Sequence, residues 1–320
     1  MNLCRELIDA AAEAGAHAVK FQSWTDKSLI AEEEYERNTE YSDKKKHFGS
    51  LREMVTAYQL TSDQHMQAHA RCLEKGIAFC STPFSDEEVD LLDSLHVPFF
   101  KIASMDVGHL ALLRCVARKG RPVVISTGMA TMGEIEKAVD TVRAEDNEQI
   151  VLLHCVSIYP PEHETIHLRN METLRRAFDC PVGFSDHTLG TSIPLAAIAL
   201  GACIIEKHFT LDQDMAGWDH AISANPEQMR TIVEDGKNVF AALGSGRRIV
   251  SDAEMEKRKK FRRSLVARQA LRKGHVLRES DLDAKRPGTG VAPDEIQYVV
   301  GRTLAGDLAE DQVLRWSHLL

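Results

Sequence analysis

The sequence of 320 residues contains no apolar run close to the roughly 20 residues that a membrane-spanning helix needs. Acidic residues at Glu6, Asp9 and Glu13 interrupt its first turns, and no basic flank precedes an apolar core, so these residues do not resemble a signal peptide. Its seven cysteines are scattered without a CxxC pair, which argues against a disulfide framework. We therefore expect a cytoplasmic protein that has no membrane partner.

Positive charge is also in the minority. The chain has 39 Lys and Arg against 48 Asp and Glu, which gives a net charge of −9 and a pI of about 5.9. This balance does not favour a polyanionic partner, so nucleic acid is not expected to bind. The hydrophobic fraction of 43% is ample for a packed core, and the length suits one large domain with a smaller one.

Seven short apolar runs follow one another through the first two thirds of the chain. Each is almost continuously hydrophobic, as expected of parallel strands that are covered on both faces. Helical patterns such as "SDEEVDLLDSLH" and "MGEIEKAVDTVRAE" separate them, which indicates repeated βα units. The predicted strands are residues 18–22, 77–82, 99–104, 122–127, 150–157, 182–187 and 202–209.

Polar residues end every one of these runs. This pattern is typical of a (β/α)8 barrel, in which the carboxyl ends of the strands carry the site. A doubly wound open sheet is the alternative, but it places its ligand at one switch point. Because seven strands are visible where a barrel has eight, and because the chain opens with a helical pattern, we expect an α/β protein built as a TIM barrel that lacks its first strand.

The last part of the chain has a different pattern. A polar stretch covers residues 247–263, and short β-like pieces with turns at residues 273–274 and 287–288 follow it. The sequence therefore predicts a barrel domain at residues 1–246, a linker at 247–263 and a small β-rich domain at 264–320.

Two histidines, His187 and His208, end consecutive predicted strands. Adjacent parallel strands lie about 4.8 Å apart, so the two imidazoles can converge on one cation. With substrate oxygens and waters they would suit Mn²⁺, Mg²⁺, Fe²⁺, Co²⁺ or Zn²⁺. The alternative is a pair of hydrogen-bonded core histidines. Strand alternation predicts that the neighbouring Asp186 and Glu206 point to the opposite face.

Three lysines, Lys20, Lys101 and Lys207, lie within or at the ends of predicted strands. A buried lysine needs an anionic partner. One chemistry that follows is a Schiff-base aldolase with a desolvated lysine nucleophile. The other is recognition of a phosphorylated acid, which "STPFS" and "STGMA" before helices would support with hydroxyls and backbone donors. A structural ion pair is the third alternative.

The motifs together resemble the sialic acid synthases, a group that includes the legionaminate and pseudaminate synthases. The resemblance runs in the family's order from Leu3 to Leu320, through "AGAHAVKFQ", "STPF", "FFKIAS", "ISTGMAT", "LLHCVSIYP", "VGFSDHTLG", "IEKHFTLD", "GWDHAIS" and "KRPGTG". It implies a (β/α)8 barrel followed by an antifreeze-like (SAF) domain. It also implies condensation of phosphoenolpyruvate with an N-acyl-mannosamine-type sugar, which gives a nine-carbon 2-keto acid and phosphate.

The resemblance also implies roles for individual residues. His187 and His208 match the ligands of a divalent metal, Mn²⁺ in the first place, with Mg²⁺ or Co²⁺ as alternatives. Arg286 of "RPGTG" matches an arginine that reaches into the partner subunit's barrel and touches the N-acyl group of the sugar, which implies a domain-swapped homodimer. The positions that match the surroundings of phosphoenolpyruvate are Lys20, Thr82, Lys101, Ser104, Ser126 and Ser185. Those that match the surroundings of the sugar are Tyr159 and Asp219.

Two departures from the family pattern bear on activity. The family usually begins with a strand reading E-I-G-x-N-H-x-G, whose acidic residue lies in the active site, and we expect the helix at the start of this chain to follow such a strand. After "KIAS" the family often has Gly-Glu, where this chain has Met105 and Asp106, so the catalytic carboxylate is one methylene shorter. The rival functions are a lysine Schiff-base aldolase acting on pyruvate and a catalytically inactive carbohydrate-binding protein.

Overall fold

The computed structural model describes residues 1–43, 46–215, 217 and 219–320. The chain forms two compact units, Met1–Gly244 and Ser245–Leu320. Within the described residues, no helix is both long enough and apolar enough to span a bilayer.

Strands and helices alternate along the first unit, as the apolar runs predict. Its strands are β1 (Ala18–Ser23), β2 (Tyr41–Asp43), β3 (Lys46–Gly49), β4 (Ala78–Pro83), β5 (Phe100–Ile102), β6 (Val123–Ser126), β7 (Ile150–Cys155), β8 (Val182–Asp186) and β9 (Ile205–Lys207). Its helices are α1 (Asn2–Glu13), α2 (Asp26–Leu29), α3 (Glu32–Arg37), α4 (Leu51–Tyr58), α5 (Ser62–Lys75), α6 (Asp86–Ser94), α7 (Leu110–Ala117), α8 (Met132–Arg143), α9 (Asn170–Phe178), α10 (Ser192–Ala199) and α11 (Pro226–Leu243).

Seven of these strands form a curled parallel sheet in chain order. β1 pairs with β4, β4 lies beside β5, and β5 to β9 form one continuous five-stranded sheet. β2 and β3 form a separate antiparallel hairpin within the long connection from β1 to β4. The prediction of seven barrel-type strands is therefore confirmed.

The curled sheet is open between its first and last strands. No ladder joins β9 to β1 in the part of the chain that the structure describes. A single parallel bridge between Phe209 and Ala224 lies just beyond β9. All three residues of β9 and the first five of β1 are only half-buried, whereas every residue of β6 and β8 is buried. We call β1 and β9 the seam strands.

Helix starts are specified by local sequence. Thr61, Ser85, Thr131 and Asn225 each accept a hydrogen bond from the backbone N–H three residues later, and the Gln or Glu at that position reaches back to the cap. Such capping boxes satisfy N–H groups that have no partner inside the helix.

The main core lies between the outward faces of the strands and the surrounding helices. Phe100, Ile102, Leu152 and Phe184 are fully buried there. Burial of each such side chain contributes about 1.5–3 kcal/mol. A second cluster includes Trp24, Tyr35 and Met54 of the β1–β4 connection together with Phe84, and Ala103 packs against it. Because Phe84 and Ala103 follow β4 and β5, this cluster lies beside the carboxyl ends of those strands.

The second unit is small and has its own core. It contains α12 (Asp252–Phe261) and an antiparallel pair of strands, β10 (Ser264–Ala267) and β11 (Leu282–Lys285). Isolated bridges such as Val276–Thr303 and Leu304–Leu319 tie the remaining loops together. Its buried residues include Leu265, Leu277, Val291, Leu304 and Leu314.

Candidate active site

Side chains from several strands meet at the carboxyl ends of the curled sheet. In a parallel ladder, residues in register project to the same face, and every second residue faces inward. The register places Ser185 opposite Glu206 and Asp186 opposite Lys207. Ser185 and Glu206 therefore share the inward face, and the contacts below place Lys20 and Lys101 there with them.

Glu206 lies at the centre of this group. Its Oε1 accepts a hydrogen bond from Ser185 Oγ at 2.9 Å and lies 3.5 Å from Lys101 Nζ and 3.9 Å from Lys20 Nζ. Burial opposes its charge, but the ammonium groups of Lys101 and Lys20 outweigh burial and lower its pKa to about 2. Two cations thus share one carboxylate, which leaves an excess of positive charge for an anionic ligand.

The prediction that Glu206 points away from the histidines is wrong. Glu206 precedes His208 by two residues, so strand alternation puts both side chains on the same face. The prediction is right for Asp186, which is adjacent to His187 and projects to the other face. Glu206 is therefore a functional candidate that the period of two could have identified.

Lys101 is the most buried charge of the group. Its side chain is 3% exposed, and its Nζ donates to Ser126 Oγ at 2.7 Å and to the carbonyl of Ile102 at 3.1 Å. Burial lowers its pKa, while the nearby Glu206 carboxylate acts against that shift. The predicted positions Lys101, Ser126 and Ser185 thus converge on one small region.

Hydroxyl groups and a glycine border the two lysines. Thr82 is buried, and its Oγ1 has no hydrogen-bond partner among the residues that the structure describes. Ser104 Oγ accepts a hydrogen bond from the backbone N–H of Gly128 at 3.0 Å. A Cβ at Gly128 would lie 2.9 Å from Ser104 Oγ and closer still to Ser157 Oγ, so only glycine permits this approach. The cluster offers an anion several donors close together.

The two histidines face each other across the end of β8 and β9. Their ring centroids are 5.3 Å apart, and the Tyr159 ring lies 4.1 Å from His187 and 6.0 Å from His208. His187 Nδ1 lies 2.8 Å from the carbonyl oxygen of Val156, and since a carbonyl can only accept, we assign the ring proton to Nδ1. Nε2 of His187 is then a free lone-pair donor, the arrangement that metal-binding histidines show.

His208 is held neutral. Burial, the ammonium of Lys20 and the ring of His187 lower its pKa to about 3. Burial also acts to lower the pKa of His187, but the Cys155 thiol beside its Nδ1 and the Val156 carbonyl outweigh burial and raise that pKa above its ordinary value. An imidazole pair of this kind fits a divalent metal once both rings are neutral. Across the described residues there is no cluster of three or more His, Cys, Asp or Glu that could hold a metal.

The predicted sugar-side residues, Tyr159 and Asp219, lie beside the two histidines. Asp219 Oδ2 is 3.9 Å from His208 Nδ1. Tyr159 is 48% exposed, and burial of its hydroxyl end raises its pKa to about 12, so it stays a neutral phenol. Asp106 has a buried Oδ2 without a hydrogen-bond partner, and burial raises its pKa. Trp218 of "GWDH" lies outside the described residues.

Lys207 lies apart from the group around Glu206. It projects to the outward face, where its Nζ lies 2.6 Å from Asp186 Oδ2 with both side chains almost completely buried. The structural ion pair considered for these lysines is therefore correct for Lys207.

Arg286 lies in the second unit and is exposed. Its guanidinium carbon is 5.3 Å from the ring centre of Phe261. The loop that carries it is tied by Ser264 Oγ, which donates to the carbonyl of Pro287 at 2.6 Å and accepts from the N–H of Gly290 at 2.8 Å. The loop is thus held by β10 of its own unit.

Family models match almost the whole chain. The NeuB family model covers residues 7–248, and the SAF domain model covers residues 262–320. The chain belongs to the NeuB family.

Individual relatives agree with this assignment. The chain is 38% identical to an N,N'-diacetyllegionaminic acid synthase of Legionella pneumophila, over 100% of this chain and 90% of the relative. It is 33% identical to a pseudaminic acid synthase of Helicobacter pylori, over 94% and 88% respectively. The solved N-acetylneuraminic acid synthetase of Leptospira borgpetersenii matches with a TM-score of 0.72 and 33% identity, over 80% of this chain and 84% of that one. The predicted family is confirmed.

Proposed function

We propose that this protein condenses phosphoenolpyruvate with an N-acyl-mannosamine-type sugar in the cytoplasm, to give a nine-carbon, sialic-acid-like 2-keto acid and phosphate. The observation that carries the proposal is the group of Lys20, Lys101 and Glu206 beside the imidazole pair of His187 and His208. Membership of a family whose relatives are named as synthases of legionaminic and pseudaminic acids supports it.

The lysine group suits phosphoenolpyruvate. This substrate carries a phosphate and a carboxylate, and Lys20 and Lys101 offer two ammonium groups with only Glu206 between them. The unpartnered hydroxyl of Thr82 and those of Ser104, Ser126 and Ser185 supply further hydrogen bonds, which are strong when the acceptor is charged. Binding both ends of the substrate would fix its C3 in one direction, a proximity effect.

The histidines suit a divalent metal and the sugar aldehyde. When bound, the metal (Mn²⁺, with Mg²⁺ or Co²⁺ as alternatives) polarises the aldehyde oxygen of the open-chain sugar as a Lewis acid. His187 and His208 would hold it, and the hydrogen bond from His187 Nδ1 to Val156 would fix the ring. Asp219 and Tyr159 would position the sugar, since both lie next to these rings.

The proposed reaction depends more on stabilising the charge that develops at C2 than on a strong base. C3 of phosphoenolpyruvate attacks the aldehyde carbon, C2 becomes electron-deficient, and water adds to C2. The proton that this water gives up balances the one that the former aldehyde oxygen takes up. The resulting phosphohemiketal then breaks its C2–O bond to phosphate, and the proton of its hydroxyl group leaves with the phosphate. With a pKa of about 2, Glu206 remains an anion and is too weak a base to take a proton from free water. We assign Glu206 to holding both lysines in place and to offsetting positive charge near C2.

We propose a domain-swapped homodimer in which Arg286 contacts the N-acyl group of the partner subunit's sugar. The first unit carries 23 Lys and Arg against 37 Asp and Glu, and the second carries 16 against 11, so the units have opposite net charge. Exposed apolar side chains follow the carboxyl ends of four neighbouring strands and suit a covering partner: Met105, Met129, Ile158, Tyr159 and Leu189.

Removing the Arg286 side chain should mainly weaken sugar binding. A hydrogen bond from a guanidinium to an amide carbonyl contributes about 1.5–3 kcal/mol, so Arg286→Ala should raise the sugar KM roughly 10- to 100-fold. The KM for phosphoenolpyruvate should change little. Mixing Arg286→Ala with His187→Ala subunits should restore part of the activity, and no recovery after proven subunit exchange would refute a shared site.

The decisive experiment measures phosphate release from phosphoenolpyruvate with N-acetylmannosamine and with a 6-deoxy diamino sugar as acceptors. We expect release only with both sugar and metal, and none after chelation. It should be run on this chain and on a version extended before Met1 by an E-I-G-x-N-H strand. Borohydride with pyruvate tests the aldolase alternative, because a reduced adduct on Lys101 would replace the synthase assignment. Sugar binding without phosphate release from either version would favour a carbohydrate-binding protein.

A further inference from the structure

The outward face of β8 and β9, behind the two histidines, carries a buried ion pair. Asp186 and Lys207 are opposite each other in the ladder, and their side chains are 0% and 1% exposed. Neither contacts the cluster around Glu206, and the proposed reaction uses neither of them. A buried ion pair is a costly feature, because the desolvation of both charges offsets most of their attraction.

The hydrogen bonds of this pair surround the backbone of His187. Lys207 Nζ donates to Asp186 Oδ2 at 2.6 Å and to the carbonyl oxygen of Thr188 at 2.5 Å. Asp186 Oδ1 accepts from the N–H of Thr188 at 2.8 Å. The residues before and after His187 are thus both held by one ammonium group.

The same ammonium belongs to the residue between Glu206 and His208. Fixing Lys207 therefore also fixes the backbone from which Glu206 and His208 project to the opposite face. The backbone segments that carry both imidazoles are thus linked by the buried Asp186–Lys207 contact, although neither ring touches that contact. Ring orientation in a metal centre is commonly set by groups behind the ligands, and their loss weakens metal binding about 10- to 100-fold.

We propose that Asp186 and Lys207 are positioning residues that hold the His187 and His208 rings at their mutual distance of 5.3 Å. The expected effect of this pair on metal affinity rests on the proposed function, whereas its effect on the distance between the two rings does not. The pair acts through the backbone of β8 and β9 and has no contact with substrate.

The test replaces both charges together. A single substitution would leave one buried charge without its partner and could unfold the protein, whereas replacement of both by apolar groups of similar volume is often neutral or stabilising. We expect Asp186→Leu/Lys207→Met to keep the melting temperature of the parent or exceed it. We expect it to bind Mn²⁺, measured by electron paramagnetic resonance, about 10- to 100-fold more weakly. Turnover should recover in part at high metal concentration.

A matched control removes an ion pair far from the histidines. Arg71 Nε donates to Asp9 Oδ1 at 2.8 Å on the outer helices α5 and α1. Asp9→Asn/Arg71→Met should leave the Mn²⁺ affinity unchanged. Unchanged Mn²⁺ affinity in the Asp186/Lys207 double variant would overturn the positioning role.

A second readout does not depend on metal. In the parent, the close rings of His187, His208 and Tyr159 should give nuclear Overhauser cross-peaks between their ring protons. We expect the His187–His208 cross-peak to weaken or vanish in the double variant. If the parent binds no Mn²⁺, the metal site of the proposed function fails, and this cross-peak alone decides the positioning role: its persistence in the folded double variant would refute it.

Discussion

Two kinds of strand contribute to the site, and they differ in burial. They are the seam strands β1 and β9 and the enclosed strands on the opposite side of the sheet. Every residue of β6 and β8 is buried, whereas β9 and most of β1 are half-buried. Yet the seam strands supply Lys20, Glu206 and His208. The enclosed strands supply mainly hydroxyls, together with Lys101 and with His187 just past the end of β8.

This difference follows from the free energy of burying charge. A charged side chain is costly to bury unless it is paired, so partial exposure at the seam lowers the cost of Lys20 and Glu206. Lys101 lies on an enclosed strand and lacks this exposure, so burial lowers its pKa. It is retained next to Glu206, which lies on a seam strand. The counter-charge of Lys101 thus comes from a seam strand.

The largest expected effect comes from the two histidines, one beside each kind of strand. His187→Ala and His208→Ala should each reduce phosphate release more than about 100-fold, because in the proposed function these two imidazoles would hold the metal. Far-UV circular dichroism should change little. His163→Ala, an exposed histidine outside the site, is the control. Near-normal turnover of either site variant after chelation would show that the two-histidine site is wrong.

Glu206→Gln should have the next largest effect. Without the carboxylate, Lys20 and Lys101 repel each other and lose their fixed positions, so kcat/KM for phosphoenolpyruvate should fall about 10- to 100-fold. If turnover persists at parental levels, Glu206 is a structural partner of the lysines only.

The same variant has a pH signature. The pKa of Glu206 is about 2 in the folded protein, against an ordinary value near 4.5. A lowered pKa stabilises the fold above the unfolded value, and this stabilisation disappears as the pH falls from about 4.5 to about 2. Urea midpoints measured over that range should fall less steeply for Glu206→Gln than for the parent. Parallel curves would mean that the carboxylate is not stabilised by the lysines.

Closing the sheet between β1 and β9 should remove the difference in burial between the seam strands and the enclosed strands. A version extended before Met1 by an E-I-G-x-N-H strand would pair the free edges of β1 and β9, which otherwise favour association. We expect a melting temperature several degrees higher, less aggregation and more phosphate release. Scrambling the added strand provides the control, and equal stability and equal turnover of all three versions would show that the seam is already closed.

The smallest effect concerns Asp106, which lies after an enclosed strand. Its Oδ2 is buried without a partner and burial raises its pKa, so its charged form destabilises the fold at neutral pH. Asp106→Asn should raise the melting temperature by about 2–4 °C, which corresponds to roughly 1 kcal/mol. Activity should fall because the resemblance to the family implies a catalytic role for this carboxylate. Exposed Asp63 on α5 offers a control, since Asp63→Asn should change neither quantity.

Strand order, the seven barrel-type strands and the meeting of His187 with His208 could all be predicted from the sequence. Each depends on a short-range regularity: apolar runs separated by helical periods, and parallel strands that end at one edge. The bounds were less accurate, since β9 covers Ile205–Lys207 where residues 202–209 were predicted. Apolar character extends beyond the residues that actually pair.

Only the tertiary structure decided which charges meet. In isolation Lys20, Lys101 and Lys207 are equivalent lysines in strands, but the ladder register directs two toward Glu206 and pairs the third with Asp186. The low pKa of His208 likewise arises from burial and from Lys20, which is 188 positions away in the chain. Local sequence sets the period of a strand, whereas its register and the depth of burial are set by neighbours distant in sequence, and electrostatic energies depend on both.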